Sequence, residues 1–328
     1  MSNATSSQTN ITDGQQYRGL VEVLLFSAPI ILPCCVFLFI NATMFFTLRS
    51  KLLFRETSRY ILLYNLLFAD TAQMALSQVL YILSACRVML TYPVCAVLTM
   101  LCVLANDVSP LTLVLMSLER YVAVCYPLRH TAIITIRNTE VAIIVVWAIS
   151  SLNVLIQVLL LLEFLFENLQ MKEFCSIENM LLDPVSNNYD KVFTCLLFVS
   201  AGVAVICSYI GVMVAARSAS TDKASARKAR NTLLLHLVQL GLSLSSTVHN
   251  SMLIAIYKVL DRKILVRIQI VLYVCIIIFP RCLSSLIYGL RDQTIRPILL
   301  YNLCCQRRRS ISVSVIPGKA KISTCITS

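Results

Sequence analysis

Seven apolar stretches separated by polar segments organise this chain: Val23–Leu48, Tyr60–Cys86, Val88–Leu118, Val141–Leu162, Val192–Ala216, Asn231–Tyr257 and Ile268–Leu290. Each can cross a hydrocarbon layer of about 30 Å as a helix rising about 1.5 Å per residue. In lipid a spanning segment must satisfy its own backbone, so a helix is expected of each. Within the seven stretches the only Asp, Glu, Lys or Arg residues are Asp70, Asp107 and Arg281. The boundary between the second and third stretches is the least marked. There Arg87 and the Thr91–Pro93 neighbourhood interrupt, and we expect a short outer loop at Arg87–Tyr92. The alternative, one long helical excursion, gives an even number of spans.

The fold class expected is an all-α membrane protein, a seven-transmembrane helix bundle with a short amphipathic eighth helix. The bundle occupies 23–290. An extracellular N-terminal tail (1–22) precedes it, and helix 8 with a cytoplasmic tail (291–328) follows. Composition agrees, because 58% of the 328 residues are hydrophobic and 13% charged. A soluble domain carries about 25% charged residues. This length suggests two soluble domains, whereas a seven-span bundle uses it as one.

Charge sets the orientation. With the N-terminus outside, the inner segments and tail hold nineteen of the 28 basic residues and the outer segments eight. Basic excess marks the cytoplasmic side. The net charge of +12 therefore points to topology and anionic membrane lipids, and no nucleic-acid partner is expected. The polar first residues, MSNATSSQTNITDGQQ, contain no apolar core of a cleaved signal. They carry two glycosylation sequons, at Asn3 and Asn10. A third, at Asn41, lies mid-stretch, and Asn41 reads better as an interhelical hydrogen-bonding residue.

Fourteen cysteines are present without metal-type spacing, and no metal or other cofactor is expected. Most fall within the apolar stretches. Cys86, Cys95 and Cys175 lie near the outer, oxidising face. Cys304 and Cys305 follow the amphipathic stretch Asp292–Leu303 and read as juxtamembrane palmitoylation sites, the alternative being unmodified thiols. Cys95 and Arg120 are twenty-five residues apart, about 37 Å of helix. One helix can thus hold a thiol at one membrane face and the Glu119–Arg120 pair at the other.

The run MSLERYVAVCYPLRH from Met116 to His130 closely resembles the MAYDRYVAICxPLxY signature of vertebrate odorant receptors, within the rhodopsin-like (class A) G-protein-coupled receptors. Leu66–Asp70 resembles that superfamily's LxxAD element, and Trp147 its fourth-helix tryptophan. Ser208–Ile210 resembles the fifth-helix SY element. Lys228–Leu237, with His236, is faintly similar to KAxSTCxSHL, and Leu286–Asp292 resembles IIYSLRN. The resemblance spans Val23 to Leu303. Departures are equally specific. Arg59–Tyr64 replaces PMYFFL, Ser284 and Ser285 stand where NPxxY has its first two residues, and the sixth stretch has neither WxP nor FYG. The second outer loop holds one cysteine where mammalian odorant receptors usually show three. The chain therefore looks like a divergent, fish-type odorant receptor. An orphan or peptide-type class A receptor is the alternative.

The resemblance implies a mechanism. Glu119 and Arg120 form a local ion pair released when the sixth helix swings outward, a two-state element. The freed Arg120, joined by Tyr209 and Tyr288 and flanked by Tyr121, helps form the docking groove for a heterotrimeric G protein. The alternative is an Arg120 that only snorkels to the headgroups. Cys95 and Cys175 are expected to pair, tying the long second outer loop to the third helix, with Cys86 as competitor.

Depth defines a second site. Asp70, Ser109 and Arg281 stand eleven, eleven and ten residues from Arg59, Arg120 and Arg291, each about 15–16 Å of helix. They share one inner layer. In related receptors the surroundings of this aspartate bind sodium. Here Arg281 brings its own charge, so an Asp70–Arg281 salt bridge is expected in place of the ion, with Arg281–Asp107 as runner-up.

A ligand layer lies further out. Cys102, Asn106, His249, Asn250 and Tyr273 line the outer halves of the third, sixth and seventh helices, where a small organic odorant fits between apolar walls. Asp107 has two readings. It marks a ligand cation, or it is neutral or satisfied by the fourth and fifth helices. Cys102 occupies the position where aminergic receptors carry their aspartate, which counts against a standard amine site.

A transporter usually shows internal repeats and paired broken helices near the midplane, and no such repeat is present in the sequence. An intramembrane enzyme needs a catalytic constellation such as GxSxG, HExxH or paired aspartates, and Asp70 and Asp107 lack that company. The expectation is a multi-pass plasma-membrane receptor, in sensory cilia if olfactory, raising cAMP through a stimulatory G protein.

Overall fold

The computed structural model describes residues 3–50, 52–86, 88, 90–167, 175, 184–218, 271–279 and 294–303. It also describes positions 227, 230–231, 234–235, 237–238, 241–242, 268, 281 and 289. The helices are α1 (Asn3–Ser50), α2 (Leu52–Arg55), α3 (Ser58–Ala85), α4 (Tyr92–Cys125), α5 (His130–Ile133), α6 (Ile136–Glu167), α7 (Pro184–Ser218) and α8 (Ile295–Leu303). A π-helical turn, Tyr273–Ile278, lies in the last apolar stretch. Among the described residues, five helical segments are long and apolar enough to cross a membrane: Ser27–Ser50, Ser58–Ser84, Tyr92–Cys125, Ile136–Leu161 and Asn188–Ala215.

The helices overrun the apolar stretches that seed them. Helix α1 begins at Asn3, so both tail sequons lie on helical backbone. Once a spanning helix exists, adding a residue gains one hydrogen bond without a new nucleation cost. Helix α7 starts at Pro184 and draws Asp190 into the bundle. Pro184 suits the first helical position, where no backbone N–H donor is needed. Between α3 and α4 the helix does stop: Cys86 caps α3, and Thr91 precedes an α4 whose first turn contains Pro93. Helix α4 ends at Cys125 because Tyr126 precedes Pro127. The ring crowds a helical residue before it, and Tyr126 sits at φ −132°, ψ 57°.

Helix α4 is the axis of the assembly, packed against α3, α6 and α7, while α1 lies against α3 and α8. Its 34 residues extend about 51 Å, more than a hydrocarbon layer of about 30 Å is thick. Many large apolar side chains on α1, α6 and α7 are exposed, Phe46 and Leu196 among them. An outward apolar face and a polar interior fit lipid as the surrounding solvent. In α8, Ile295 and Leu299 are one turn apart and both buried. Gly289 is buried beneath Leu299 and close to Met44, and a Cβ there would collide with the leucine.

Candidate functional site

The structure gathers Asp70, Asn106, Ser109 and Arg281 into one buried cluster. Arg281 Nη1 donates to Asp70 Oδ1 at 3.1 Å, and Arg281 Nη2 donates to Asn106 Oδ1. Ser109 Oγ donates to the same Asp70 oxygen at 2.6 Å. Asp70 is 1% and Arg281 5% exposed. Each charge is therefore compensated away from bulk water, the condition under which a buried ion pair is tolerable. Asn106, read as a ligand-layer residue, belongs to this cluster. Arg281 follows closely after the π-turn Tyr273–Ile278, a feature that changes which way later side chains face.

A second polar chain borders this cluster. Trp147 Nε1 donates to Asn65 Oδ1 at 2.9 Å, and Asn65 Nδ2 donates to Thr112 Oγ1 at 2.9 Å. Asn41 Nδ2 donates to Thr71 Oγ1 at 3.0 Å, linking α1 to α3. Such bonds hold helices together where lipid supplies no hydrophobic drive between them.

At the Arg120 end of α4, Arg120 Nε lies 3.2 Å from Glu119 Oε2, and His130 Nε2 lies 3.8 Å from Glu119 Oε1. Tyr121 lies over Gly211 of α7, where any Cβ would overlap its ring. Tyr209 and Tyr121 pack against buried Val212. Tyr288 lies outside the described residues.

At the opposite end, Cys95 and Cys175 form a disulfide with Cα atoms 5.7 Å apart. Cys86, the competitor, is free and exposed. The disulfide packs with Leu80, Tyr92, Ala96 and Cys102. Deeper in the bundle, Tyr273 stacks on Tyr81 with ring centres 6.2 Å apart, and Tyr81 donates to Ser27 Oγ at 3.3 Å. Beside Tyr273 lies a cavity lined by Gln73, Ser77, Gln78 and Arg281, with about 10 Å³ of water-accessible space. That suits about one water molecule. His249 and Asn250, and the tail cysteines Cys304 and Cys305, lie outside the described residues.

Asp107 does not meet Arg281. It is 4% exposed and accepts a hydrogen bond from Asn153 Nδ2 of α6 at 2.7 Å. One turn on, Gln157 Nε2 donates to Asp190 Oδ1 of α7 at 3.0 Å. The sequence reading missed Asn153, Gln157 and Asp190. The signals were an amide pair four residues apart in an otherwise apolar stretch, and an aspartate two residues before the expected start at Val192.

A family model described as 7 transmembrane receptor (rhodopsin family) matches residues 41–288. The chain is 34% identical over 272 residues to Odorant receptor 131-2 of Danio rerio, covering 82% of this chain and 83% of that one. It is 28% identical to Olfactory receptor-like protein OLF4 of Canis lupus familiaris, over 60% of this chain and 69% of the other. It is 27% identical to Olfactory receptor 2A5 of Homo sapiens, over 68% and 72% of the two chains. The family match begins at Asn41 and closes on Tyr288, thereby encompassing the buried ion pair, the disulfide and the Glu119–Arg120 pair. This chain belongs to the rhodopsin family of seven-transmembrane receptors: a multi-pass membrane receptor, not an enzyme.

Proposed function

We propose that this receptor detects a small organic odorant and activates a heterotrimeric G protein of the stimulatory type, raising cAMP. The observation that carries the reading is the Glu119–Arg120 pair, closed at 3.2 Å at one end of α4, while the disulfide anchors the other end. One rigid helix then joins a ligand-facing mouth to a G-protein-facing mouth. The similarity to Odorant receptor 131-2 over most of both chains supports the choice of odorant as ligand class.

In this reading the Cys95 end and the N-terminal tail face the exterior of a plasma membrane, with Asn3 and Asn10 as glycosylation acceptors. Ligand binds between α4 and the last apolar stretches, near Cys102, His249, Asn250 and Tyr273. Movement of the sixth span separates Arg120 from Glu119, and Arg120 with Tyr121, Tyr209 and Tyr288 receives the G protein. Cys304 and Cys305, if palmitoylated, hold α8 against the inner leaflet.

The test is a chemically diverse ligand panel applied to cells expressing the full chain with a stimulatory olfactory G protein, read as cAMP. A ligand-dependent rise that vanishes in Arg120→Ala at equal surface level supports the reading. Uptake of solute without nucleotide exchange on any G protein would replace it with a transporter.

A further inference from the structure

The paired amides of α6 hold two carboxylates that nothing above uses together. Asn153 and Gln157 are four residues apart and so share a helix face. Asn153 donates to Asp107 and Gln157 donates to Asp190. Asn153 is 2% and Gln157 0% exposed. Their remaining oxygens, Asn153 Oδ1 and Gln157 Oε1, are buried with no hydrogen-bond partner. Turning either amide over does not cure this, because its oxygen would then face a carboxylate. Asp190 lies close enough to Asp107 for its charge to act there, and Tyr189 neighbours both. Arg281 is already engaged by Asp70 and Asn106. Among the described residues no cationic N–H donates to these two carboxylates: the charges of Arg281 and Lys191 act on Asp107 and Asp190 only from a distance, and two carbonyl oxygens stay orphaned. Asp190 is only partly buried, which leaves one end reachable.

We propose that Asp107, Asn153, Gln157 and Asp190 form a subsite for a protonated primary amine. The proposal rests on the receptor reading above for its signalling arm only. An ammonium group supplies three N–H donors and one positive charge. Its three donors can reach three of these four acceptors, and its charge offsets one of the two carboxylates. The stacked rings of Tyr189 and Phe193, 6.2 Å apart on α7, offer an aromatic wall for the alkyl part and a face attractive to a cation. The site is distinct from the Cys102 position, so it admits an amine that approaches from the α6–α7 side.

The test uses the purified full-length receptor. Its thermal midpoint is measured with n-alkylamines, with their trimethylammonium counterparts, with 1-alkanols of equal length, and with sodium or potassium chloride. Saturable stabilisation by primary amines is expected, at least tenfold tighter than by the trimethylammonium or alcohol series. Asp107→Asn and Asp190→Asn should each weaken it at least tenfold. Asp190→Asn carries the test alone if the buried Asp107→Asn fails to fold. Equal stabilisation by amines and alcohols, stabilisation by the inorganic salts alone, or none by any amine overturns the proposal. Activation of cAMP by neutral ligands, with no amine stabilising the receptor, also removes the amine site and leaves the receptor reading intact. Amine stabilisation without any ligand-dependent cAMP removes the receptor reading and leaves the site.

Discussion

Arg281 Nη1 lies 3.1 Å from Asp70 Oδ1, joining residues 211 apart in sequence across the centre of the bundle. Breaking the pair from one side leaves a buried charge alone, which typically costs about 3–5 kcal/mol. Asp70→Asn should therefore lower the thermal midpoint sharply. Asp70→Asn with Arg281→Ser should recover much of that loss, since neither charge is then stranded. Strictly additive losses in this double-mutant cycle would show that the pair is not coupled.

The glycines of α7 give opposite expectations on one helix. A Cβ at Gly202 meets nothing within 4 Å, whereas one at Gly211 collides with the Tyr121 ring. Gly202→Ala should stabilise by about 0.5–1 kcal/mol through lost unfolded-state freedom. Gly211→Ala should destabilise by about 1–3 kcal/mol through overpacking. Thermal unfolding of the two variants, compared side by side, checks the sign of each.

Cys95→Ser and Cys175→Ser should each remove surface expression, and the double variant should be no worse than either. Antibody labelling of intact cells measures this. Normal trafficking and signalling of Cys175→Ser alone would mean the bridge is dispensable.

Arg120→Ala should keep ligand binding and lose G-protein activation, because the arginine stands at the far end of α4 from the disulfide. Binding and cAMP measured on the same cells separate the two. Full cAMP signalling at equal surface level would remove Arg120 from the coupling step.

Asn65→Leu should cost about 1–3 kcal/mol for each buried partner it strands, the Trp147 indole N–H above all. Trp147→Phe, which removes that donor, should be milder. A reversed order in thermal midpoints would count against the network.

The gross architecture was legible because its code is one-dimensional. A run of apolar residues long enough to cross lipid marks a span, and the depth of Asp70, Ser109 and Arg281 follows from counting residues to charged helix ends. What counting cannot give is azimuth. Asn106 and Asp107 are adjacent in sequence, yet one faces Arg281 and the other faces Asn153. A helix turns about 100° per residue, so that choice depends on packing. The π-turn before Arg281 adds a rotation that no hydropathy pattern reports. Asp190 was missed for a related reason: a charge at the edge of an apolar run reads as loop until a partner such as Gln157 pulls it inside.

The guanidinium of Arg281 has one further consequence. A mobile ion beside Asp70 would come and go with the salinity of the medium. A cation tethered to the chain has a fixed local concentration whatever surrounds the cell. Asp70 therefore keeps its counter-charge at any salt concentration, because that charge is part of the fold.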